Sequence, residues 1–481
     1  MNFKMLGKFL GSVLFIEAAL LLFPLIVSLI YKESPLPFLV TMIILLCVSV
    51  PAMLMKPKRK RIYAKEGFIC TALSWIFLSV FGALPFVLSG AIPNYIDALF
   101  ETVSGFTTTG ASVIVPGGIE ALPKGILFWR SFTHWIGGMG ILVFMLAITP
   151  GSDGNVFLMR AEVPGPQKGK LVPKLKDSSL ILYVIYLSLT LMETIALLIA
   201  KMPLYDSLVN AFGTMGTGGF SVLNDSIAGY NNPAAEWIIA IFLFLAGINY
   251  NIYFFILIRK FGEVRQNEEL KVYLGITLIS TALITLNLFY NSVQYSSVGI
   301  ALRHAFFQVT SIISSAGFTT APFNTWPNFS QTLIIALMLI GACAGSTGGG
   351  FKISRMLIVL KSIKRDIRKI FKPNSVKTIR LDGEPLLEDT VKSSLSYLSI
   401  YFVIMIVSVL LLSIDGKDLL TTSTAVISAF NNMGPALGEA FSSYCDFSYF
   451  SKILLSLIML FGRLEIMPML VLLSPSTWRK N

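Results

Sequence analysis

The sequence predicts an all-α integral membrane protein. Four pseudo-repeated units, each a span, a re-entrant loop and a second span, surround a central pore, and two extra transmembrane helices precede them. The composition, the apolar stretches and an internal repeat support this prediction. The chain of 481 residues is 54% hydrophobic and only 13% charged, with a mean hydropathy of +0.74. A soluble domain of this size needs more charge on its surface, so we expect the outer surface to face lipid.

Apolar stretches of about 20 residues match the length that a helix needs to cross a bilayer. The first two are 10–30 and 36–55; no small-residue cleavage site follows the first, so we expect a retained helix rather than a signal peptide. Eight further spans pair as 67–90 with 124–149, 178–200 with 234–258, 272–290 with 329–360, and 392–414 with 450–473. The predicted divisions are a helical pair at 1–60 and units at 61–150, 151–262, 263–375 and 376–481. About ten crossings result.

An internal repeat defines these units. Gly110, Gly219, Gly317 and Gly434 each end a segment too short to span, placed between two segments that are long enough. Aligned on these glycines, the contexts read SGFTTTGAS, GTMGTGGFS, SIISSAGFT and SAFNNMGPA. A large apolar residue stands four positions before each Gly, namely Phe106, Met215, Ile313 and Phe430.

An Asp stands thirteen residues before the first two glycines, at Asp97 and Asp206. An Asp there is expected to cap a short helix and to suit its positive N-terminal end. His304 and Thr421 take this place in the third and fourth units, so the feature is repeated in only half of them.

The basic residues predict the orientation of the spans. Most of the 38 Lys and Arg residues fall at Lys4 and Lys8, in 56–66, 151–177, 259–271 and 361–392, and at Arg479 and Lys480. The opposite side carries Lys32, Lys124, Lys201, Arg303 and Lys417. By the positive-inside rule both termini are cytoplasmic, and the four re-entrant segments enter the cell membrane, plasma or inner, from outside. Because the charge lies in short loops between spans, the net charge of +12 does not indicate nucleic-acid binding.

Four polar, Gly-bearing turns at membrane depth predict a cation path. Non-helical backbone is tolerated there only when it is buried in protein or lines a water-filled cavity. Carbonyl oxygens around one axis replace the hydration shell of a cation, and the C-terminal ends of the short helices favour positive charge at the same point. A carbonyl ring suits potassium, a large cation that gives up its water cheaply, and the lack of a ring of acidic side chains beside the four turns weighs against a calcium-type filter. The predicted potassium-binding residues are Thr108, Thr109, Gly110, Thr217, Gly218, Gly219, Ser315, Ala316, Gly317, Asn432, Met433 and Gly434.

The Gly-rich stretch 341–350 interrupts the second span of the third unit. Its glycines cannot hold a stable helix, so we expect an irregular, mobile segment below the turns. A phosphate-binding loop is the alternative, but Phe351 occupies the position of the required Lys and no buried strand precedes the stretch.

Nothing in the sequence favours an enzyme or a cofactor site. Cys47, Cys70, Cys343 and Cys445 lack the spacing of metal ligands, and neither a metal site nor a disulfide framework follows. His134 and His304 lie in different units. A scaffold would not need four aligned polar turns. We expect a transport protein without a cofactor in this chain.

Five stretches carry a family resemblance: FTTTGAS, TGGFSV, SSAGFTTAPFNTW, GACAGSTGGGFKISR and FGRLEIMPMLVLLSPSTW. On them the sequence resembles the Trk/Ktr superfamily of potassium transporters, and most of all its TrkH-type membrane subunit, over nearly the whole chain. The resemblance implies a filter turn with a Gly in each repeat. All-Gly filters go with potassium preference, whereas related plant proteins with Ser in the first turn favour sodium; Gly110 stands there in this chain. The turns depart from the TVGYG pattern of potassium channels, so selectivity against sodium is expected to be modest.

The resemblance also implies a gate. The stretch 341–350 would be an intramembrane gating loop, and Arg463 an electrostatic barrier to cations near it. A local ion pair with Glu465, or snorkelling to the interface, is the alternative for Arg463. The predicted gate residues are Gly345, Ser346, Thr347, Gly348, Gly349, Gly350 and Arg463.

The implied partners are the lipid bilayer, a second copy in a homodimer with one pore per subunit, and a cytosolic ring of RCK-type nucleotide-binding domains. That ring would dock on the segment 361–392, and nucleotide would act only through it. Two alternatives stay open: a poorly selective potassium and sodium path, and symport coupled to sodium or protons. For proton coupling the candidate groups are Glu17, Glu101 and Glu193, although a structural role is favoured for all three.

Overall fold

The computed structural model describes residues 2–56, 63–140, 175–291, 295, 297–374 and 378–479. The N-terminal helices are α1 (Phe3–Leu20), α2 (Leu22–Ile30) and α3 (Leu36–Met53). Helix α1 packs along α3 and against the first long helix of unit one. The predicted helical pair is therefore present, with its first member divided at Leu21.

Each of the four units contains a long first helix, a short helix and a second segment that is broken or ends early. Unit one has α4 (Ala64–Gly82), α5 (Leu84–Leu88), α6 (Tyr95–Phe106) and α7 (Lys124–Met139). Unit two has α8 (Leu175–Ile199), α9 (Leu204–Gly216), α10 (Pro233–Ala246), α11 (Tyr250–Leu257) and α12 (Phe261–Gln266). Unit three has α13 (Glu268–Asn291), α14 (Val298–Ile313), α15 (Asn328–Ile340) and α16 (Ile353–Phe371). Unit four has α17 (Glu388–Leu412), α18 (Leu419–Phe430), α19 (Tyr449–Arg463), α20 (Met467–Leu473) and α21 (Pro475–Trp478).

The beginning of the predicted fourth unit folds into a small antiparallel hairpin. Its strands are β1 (Arg380–Leu381) and β2 (Glu384–Pro385). The two turn residues, Asp382 and Gly383, have φ values of 53° and 83°. This combination matches the right-handed twist of the flanking strands, which is why an Asp-Gly pair suits a two-residue hairpin turn.

The units pack in a cyclic order. Each short helix contacts the second segment of the preceding unit: α9 packs on α7, α14 on α10 and α18 on α15. Helix α6 of unit one packs on α19 of unit four, which closes the circle. The four-unit architecture predicted from the repeat is thereby confirmed.

The second spans differ from their predicted form. Among the described residues, six helices are long and apolar enough to cross a membrane, and a seventh span forms if α10 and α11, bent by 91°, count as one. The predicted continuous spans 234–258 and 450–473 are wrong in this respect. Asn249 caps a new helix in the former, and Glu465 and Ile466 take left-handed φ values of 55° and 65° in the latter. The part of span 124–149 beyond Gly140 lies outside the described residues.

The prediction for the short-helix caps is also partly wrong. Asn94, not Asp97, caps α6, accepting from the N–H of Ile96 at 2.8 Å. Asp97 lies in the first turn, where its carboxylate pairs with Lys452 at 2.7 Å. Asp206 likewise lies in the first turn of α9, after Pro203 at the cap position. Both Asp residues therefore sit at the positive helix end, but neither is the capping residue.

Candidate functional site

The four turns that follow the short helices share one backbone conformation. The residue two before each Gly is left-handed, with φ of 56° at Thr108, 55° at Thr217, 61° at Ser315 and 53° at Asn432. The aligned glycines have φ of 79°, 76°, 82° and 90° in chain order. Left-handed backbone costs free energy at a residue with a side chain. Its occurrence at the same four positions shows that the turn is a repeated structural device.

Hydrogen bonds tie each turn back to its own short helix. The N–H of the residue before the Gly donates to the carbonyl six residues before the Gly. The four bonds are Thr109 to Ser104 at 2.8 Å, Gly218 to Gly213 at 2.8 Å, Ala316 to Ser311 at 2.9 Å and Met433 to Ser428 at 2.9 Å. The N–H groups of the turn are thus used by the end of the helix, which fixes the direction of the carbonyls that follow.

The four turns meet in a closed ring. The α-carbon of each Gly faces the carbonyl oxygen of the residue before the Gly of the next unit. A Cβ built on the glycines, taken in chain order, would lie 1.9 Å from the oxygen of Gly218, 2.1 Å from Ala316, 2.0 Å from Met433 and 2.6 Å from Thr109. The last contact returns from unit four to unit one. Only a residue without a side chain fits such an approach, so this ring explains why all four positions are Gly.

Among the described residues, no donor bonds the four carbonyls that form the ring. In the part of the chain that the structure describes, the carbonyl oxygens of Thr109, Gly218, Ala316 and Met433 accept no hydrogen bond. Buried carbonyls are otherwise almost always paired with a donor. Four convergent, unpaired carbonyl oxygens suit a cation that has lost its hydration shell.

The stretch 341–352 is irregular, as predicted, and lies against the back of the ring. The N–H of Gly349 donates to Oγ of Ser315 at 2.5 Å. A Cβ on Gly348 would lie 2.6 Å from the carbonyl oxygen of Ser314, and one on Gly349 would lie 2.4 Å from that of Asn431. The stretch therefore contacts the turns of units three and four directly.

Arg463 connects this stretch to the opposite side of the ring. It is 6% exposed, and Nη1 donates to the carbonyl of Thr347 at 2.7 Å. Nη2 donates to the carbonyls of Gly137 at 2.5 Å and Gly138 at 2.7 Å, at the C-terminal end of α7. Units one and three are not neighbours in the ring, so this charged residue of unit four links two units that do not adjoin each other there. The structure thus places the predicted turn residues in the ring and Gly348 and Gly349 against it, whereas the α-carbon of Gly345 faces the side chain of Asn249 in unit two.

The sequence did not single out two charged residues of this region: Lys352, the last residue of the stretch, and Glu269, which lies beside it. Lys352 is 1% exposed and donates from Nζ to the carbonyl of Gly348. The carboxylate of Glu269 accepts from the N–H of Ala344 at 2.7 Å and from the N–H of Ser354 at 3.0 Å. Both residues lie at the edge of an apolar segment in the sequence. That position alone does not distinguish them from charged residues that face the cytoplasm.

The acidic residues considered for proton coupling fall into different environments. Glu101 accepts from Nε of Arg130 at 2.6 Å and from the N–H of Val113 at 2.9 Å. It therefore holds the non-helical segment after the first ring turn, in agreement with a structural role. Glu17 and Glu193 are buried, at 1% and 0% exposure, in the helices that surround the ring.

Comparison with known proteins agrees with this architecture. Residues 36–480 match the family model described as "TrkH: Cation transport protein". The chain is 36% identical over 488 residues to the Trk system potassium uptake protein TrkH of Escherichia coli (strain K12), and 33% identical over 491 residues to that of Halomonas elongata. Both alignments cover 100% of each chain.

A solved structure is also similar. The crystal structure of the potassium transporter TrkH from Vibrio parahaemolyticus matches with a TM-score of 0.88 and 33% identity, and the match covers 100% of both chains. The relatives are transport proteins rather than enzymes. The ring of four turns, the cyclic packing of the units and these full-length matches agree: the chain belongs to the TrkH family of cation transport proteins.

Proposed function

We propose that this protein takes up potassium across the cell membrane through the ring of carbonyls. The closed ring of four glycines, each facing an unpaired carbonyl of the next unit, is the observation that carries this proposal. The full-length relatives are named as potassium uptake proteins, which supports the choice of ion. Potassium is the substrate and is held by backbone oxygens, with Thr108, Thr217, Ser315 and Asn432 shaping each turn.

The stretch 341–350 serves as the gate, together with Arg463. The stretch lies against the ring, and the Arg463 guanidinium group joins it to the end of α7 through hydrogen bonds to Thr347 and Gly137. A positive charge below a cation site raises the energy of a passing cation, more strongly in a dry interior than in water. Opening then requires the stretch to leave the ring and the Arg463 hydrogen bonds to break.

The cytoplasmic face receives a regulator. Both termini and the segment 361–392 lie on this side, and the segment carries ion pairs such as that of Arg365 with Glu388 at 2.9 Å. The names of the relatives describe a Trk system, which supports a membrane subunit that works with others. We assign the nucleotide response to a ring of RCK-type domains docked there, and assembly to a homodimer with one pore per subunit.

Rescue of a cell that lacks potassium uptake tests the proposal. Growth at low external potassium should return when the chain is expressed with its regulator. Purified protein in liposomes should then carry rubidium, and external potassium should compete better than sodium. Absence of both growth and rubidium flux, with the protein present in the membrane, would overturn the assignment. Equal competition by sodium would instead identify a poorly selective path.

A further inference from the structure

The stretch 341–352 is held at both ends by one carboxylate. Oε1 of Glu269 accepts from the N–H of Ala344 at 2.7 Å and from the N–H of Ser354 at 3.0 Å. Ser354 is the second residue of α16, whose preceding residue, Lys352, supplies no side-chain cap. Glu269 therefore caps α16 from another helix, and the same oxygen anchors the beginning of the irregular stretch.

The residue next to Glu269 is fixed by the hairpin. The N–H of Glu268 donates to Oδ1 of Asp382 at 2.7 Å, and Nδ2 of Asn267 donates to Oδ2 at 3.2 Å. The Asp382 carboxylate thus binds the N-terminus of α13, where a negative charge is stabilising. Lys361 reinforces the contact, since its Nζ bonds both Oε2 of Glu268 and the carbonyl of Arg380, the latter at 2.8 Å.

The hairpin is itself a defined, packed structure. Ile379 and Leu381 are 5% and 3% exposed and pack with Ile358 of α16 and Val391 of α17. The turn at Asp382 and Gly383 points the Asp382 carboxylate at α13 because both residues take left-handed angles. A displacement of the hairpin is therefore passed to the N-terminus of α13 rather than absorbed by a loose loop.

We propose that Glu269 is the positioning residue of the stretch 341–352, and that the hairpin sets the position of Glu269 through Asp382. The path is short: Asp382 holds Glu268, and the adjacent Glu269 holds Ala344 and Ser354. Whatever pulls on the hairpin from the cytoplasmic side loosens both ends of the stretch together. This inference rests on the proposed function only in treating the stretch as the gate.

A native thiol reports the position of the stretch. Cys343 lies at its beginning, is 0% exposed, and donates its N–H to the carbonyl of Gly247 at 3.1 Å. With Cys47, Cys70 and Cys445 replaced, modification of Cys343 by a membrane-impermeant thiol reagent in inside-out vesicles measures how often the stretch opens. This readout does not depend on ion flux.

In Glu269→Ala, Cys343 should react about tenfold faster, because two buried N–H groups lose a charged acceptor. Glu269→Gln keeps an acceptor oxygen, so a rise of about threefold is expected. Asp382→Asn should give a rise of similar size to that of Glu269→Gln. Glu384→Gln, at an exposed position of the same hairpin, is the matched control and should leave the rate unchanged.

The outcomes separate the two halves of the inference. If Glu269→Ala protein is monodisperse and its Cys343 is modified at the wild-type rate, the positioning role of Glu269 is overturned. If that variant does not fold, the rate of Cys343 modification in Glu269→Gln decides the question. An unchanged rate in Asp382→Asn, or an equal rise in Glu384→Gln, overturns the path through the hairpin. A faster Cys343 reaction without a rise in rubidium flux leaves the positioning role intact and instead removes the gate from the proposed function.

Discussion

The ring of turns and the layer of helix breaks beneath it differ in how closely the four units repeat. In the ring, the residues two positions before the four glycines have φ values between 53° and 61°. The glycines themselves have φ values between 76° and 90°. In the layer beneath the ring, each second segment is interrupted in a different way. Helix α7 ends before Gly140, and α10 meets α11 at an angle of 91°. In unit three the irregular stretch 341–352 separates α15 from α16, and in unit four α19 ends before Leu464. Under the proposed function this difference is expected, because an ion in the ring would contact all four turns, whereas a single obstacle would close the path.

The two layers also differ in charge. The ring uses backbone oxygens and neutral side chains. The layer beneath holds Arg463, Lys352 and Glu269, all less than 7% exposed, and the pair of Arg355 with Glu465. A buried charge is costly unless it is paired and hydrogen-bonded. If the ring binds the ion and the layer beneath it closes the path, as proposed, substitutions in the two layers should act in opposite directions on flux.

The largest effect is expected in the ring. Gly219→Ala should lower rubidium uptake by about a hundredfold, because the added Cβ meets the Ala316 carbonyl and the backbone angle is strained. Uptake into liposomes that contain equal amounts of protein measures it. Gly275→Ala is the control, since a Cβ there meets nothing within 4 Å. Wild-type uptake by Gly219→Ala would show that the ring is not the path.

The next effect is expected in the charged layer, with the opposite sign. If Arg463 closes the path as proposed, Arg463→Ala should raise rubidium uptake about tenfold, because the variant lacks the positive charge and its three hydrogen bonds. Arg463→Lys retains the positive charge but loses the several donors of the guanidinium group, so its rubidium uptake should rise less than that of Arg463→Ala. The difference between the two variants separates the effect of charge repulsion from that of the hydrogen bonds. Unchanged flux in both variants would leave Arg463 with a purely structural role.

A smaller effect is expected where the two layers touch. Ser315→Ala removes the acceptor of the Gly349 N–H and should raise uptake about threefold, since that buried N–H is left unpaired in the closed state. Ser330→Ala is the control: Ser330 is also buried but bonds Asn287 away from the ring. The ratio of potassium to sodium uptake should stay at the wild-type value in Ser315→Ala, and a changed ratio would place Ser315 in ion selection instead.

The smallest effect is expected outside both layers. Glu193→Gln should leave rubidium uptake unchanged with and without an imposed pH gradient, because a channel-like path requires no proton-binding group. The isosteric change preserves the packing of a fully buried side chain. If the wild-type protein is driven by the pH gradient and the variant is not, proton-coupled symport replaces the channel-like path.

The sequence by itself determined the unit of construction. Apolar lengths predicted the long first helices, because the bilayer imposes a length that composition reveals. The four aligned glycines predicted the turns, because such turns take backbone angles that residues with a side chain rarely adopt. The glycines of 341–350 predicted the irregular stretch for the related reason that they do not sustain a helix.

Only the tertiary structure decided which residues meet across units. That the α-carbon of Gly434 faces the Thr109 carbonyl, or that Arg463 reaches Gly137, depends on how four distant segments pack, and no local pattern encodes such a contact. The same holds for Glu269, which resembles any charge at a helix start until the folded chain places it between Ala344 and Ser354. Local backbone preference is contained in a few neighbouring residues, whereas the partner of a buried charge is set by the whole fold.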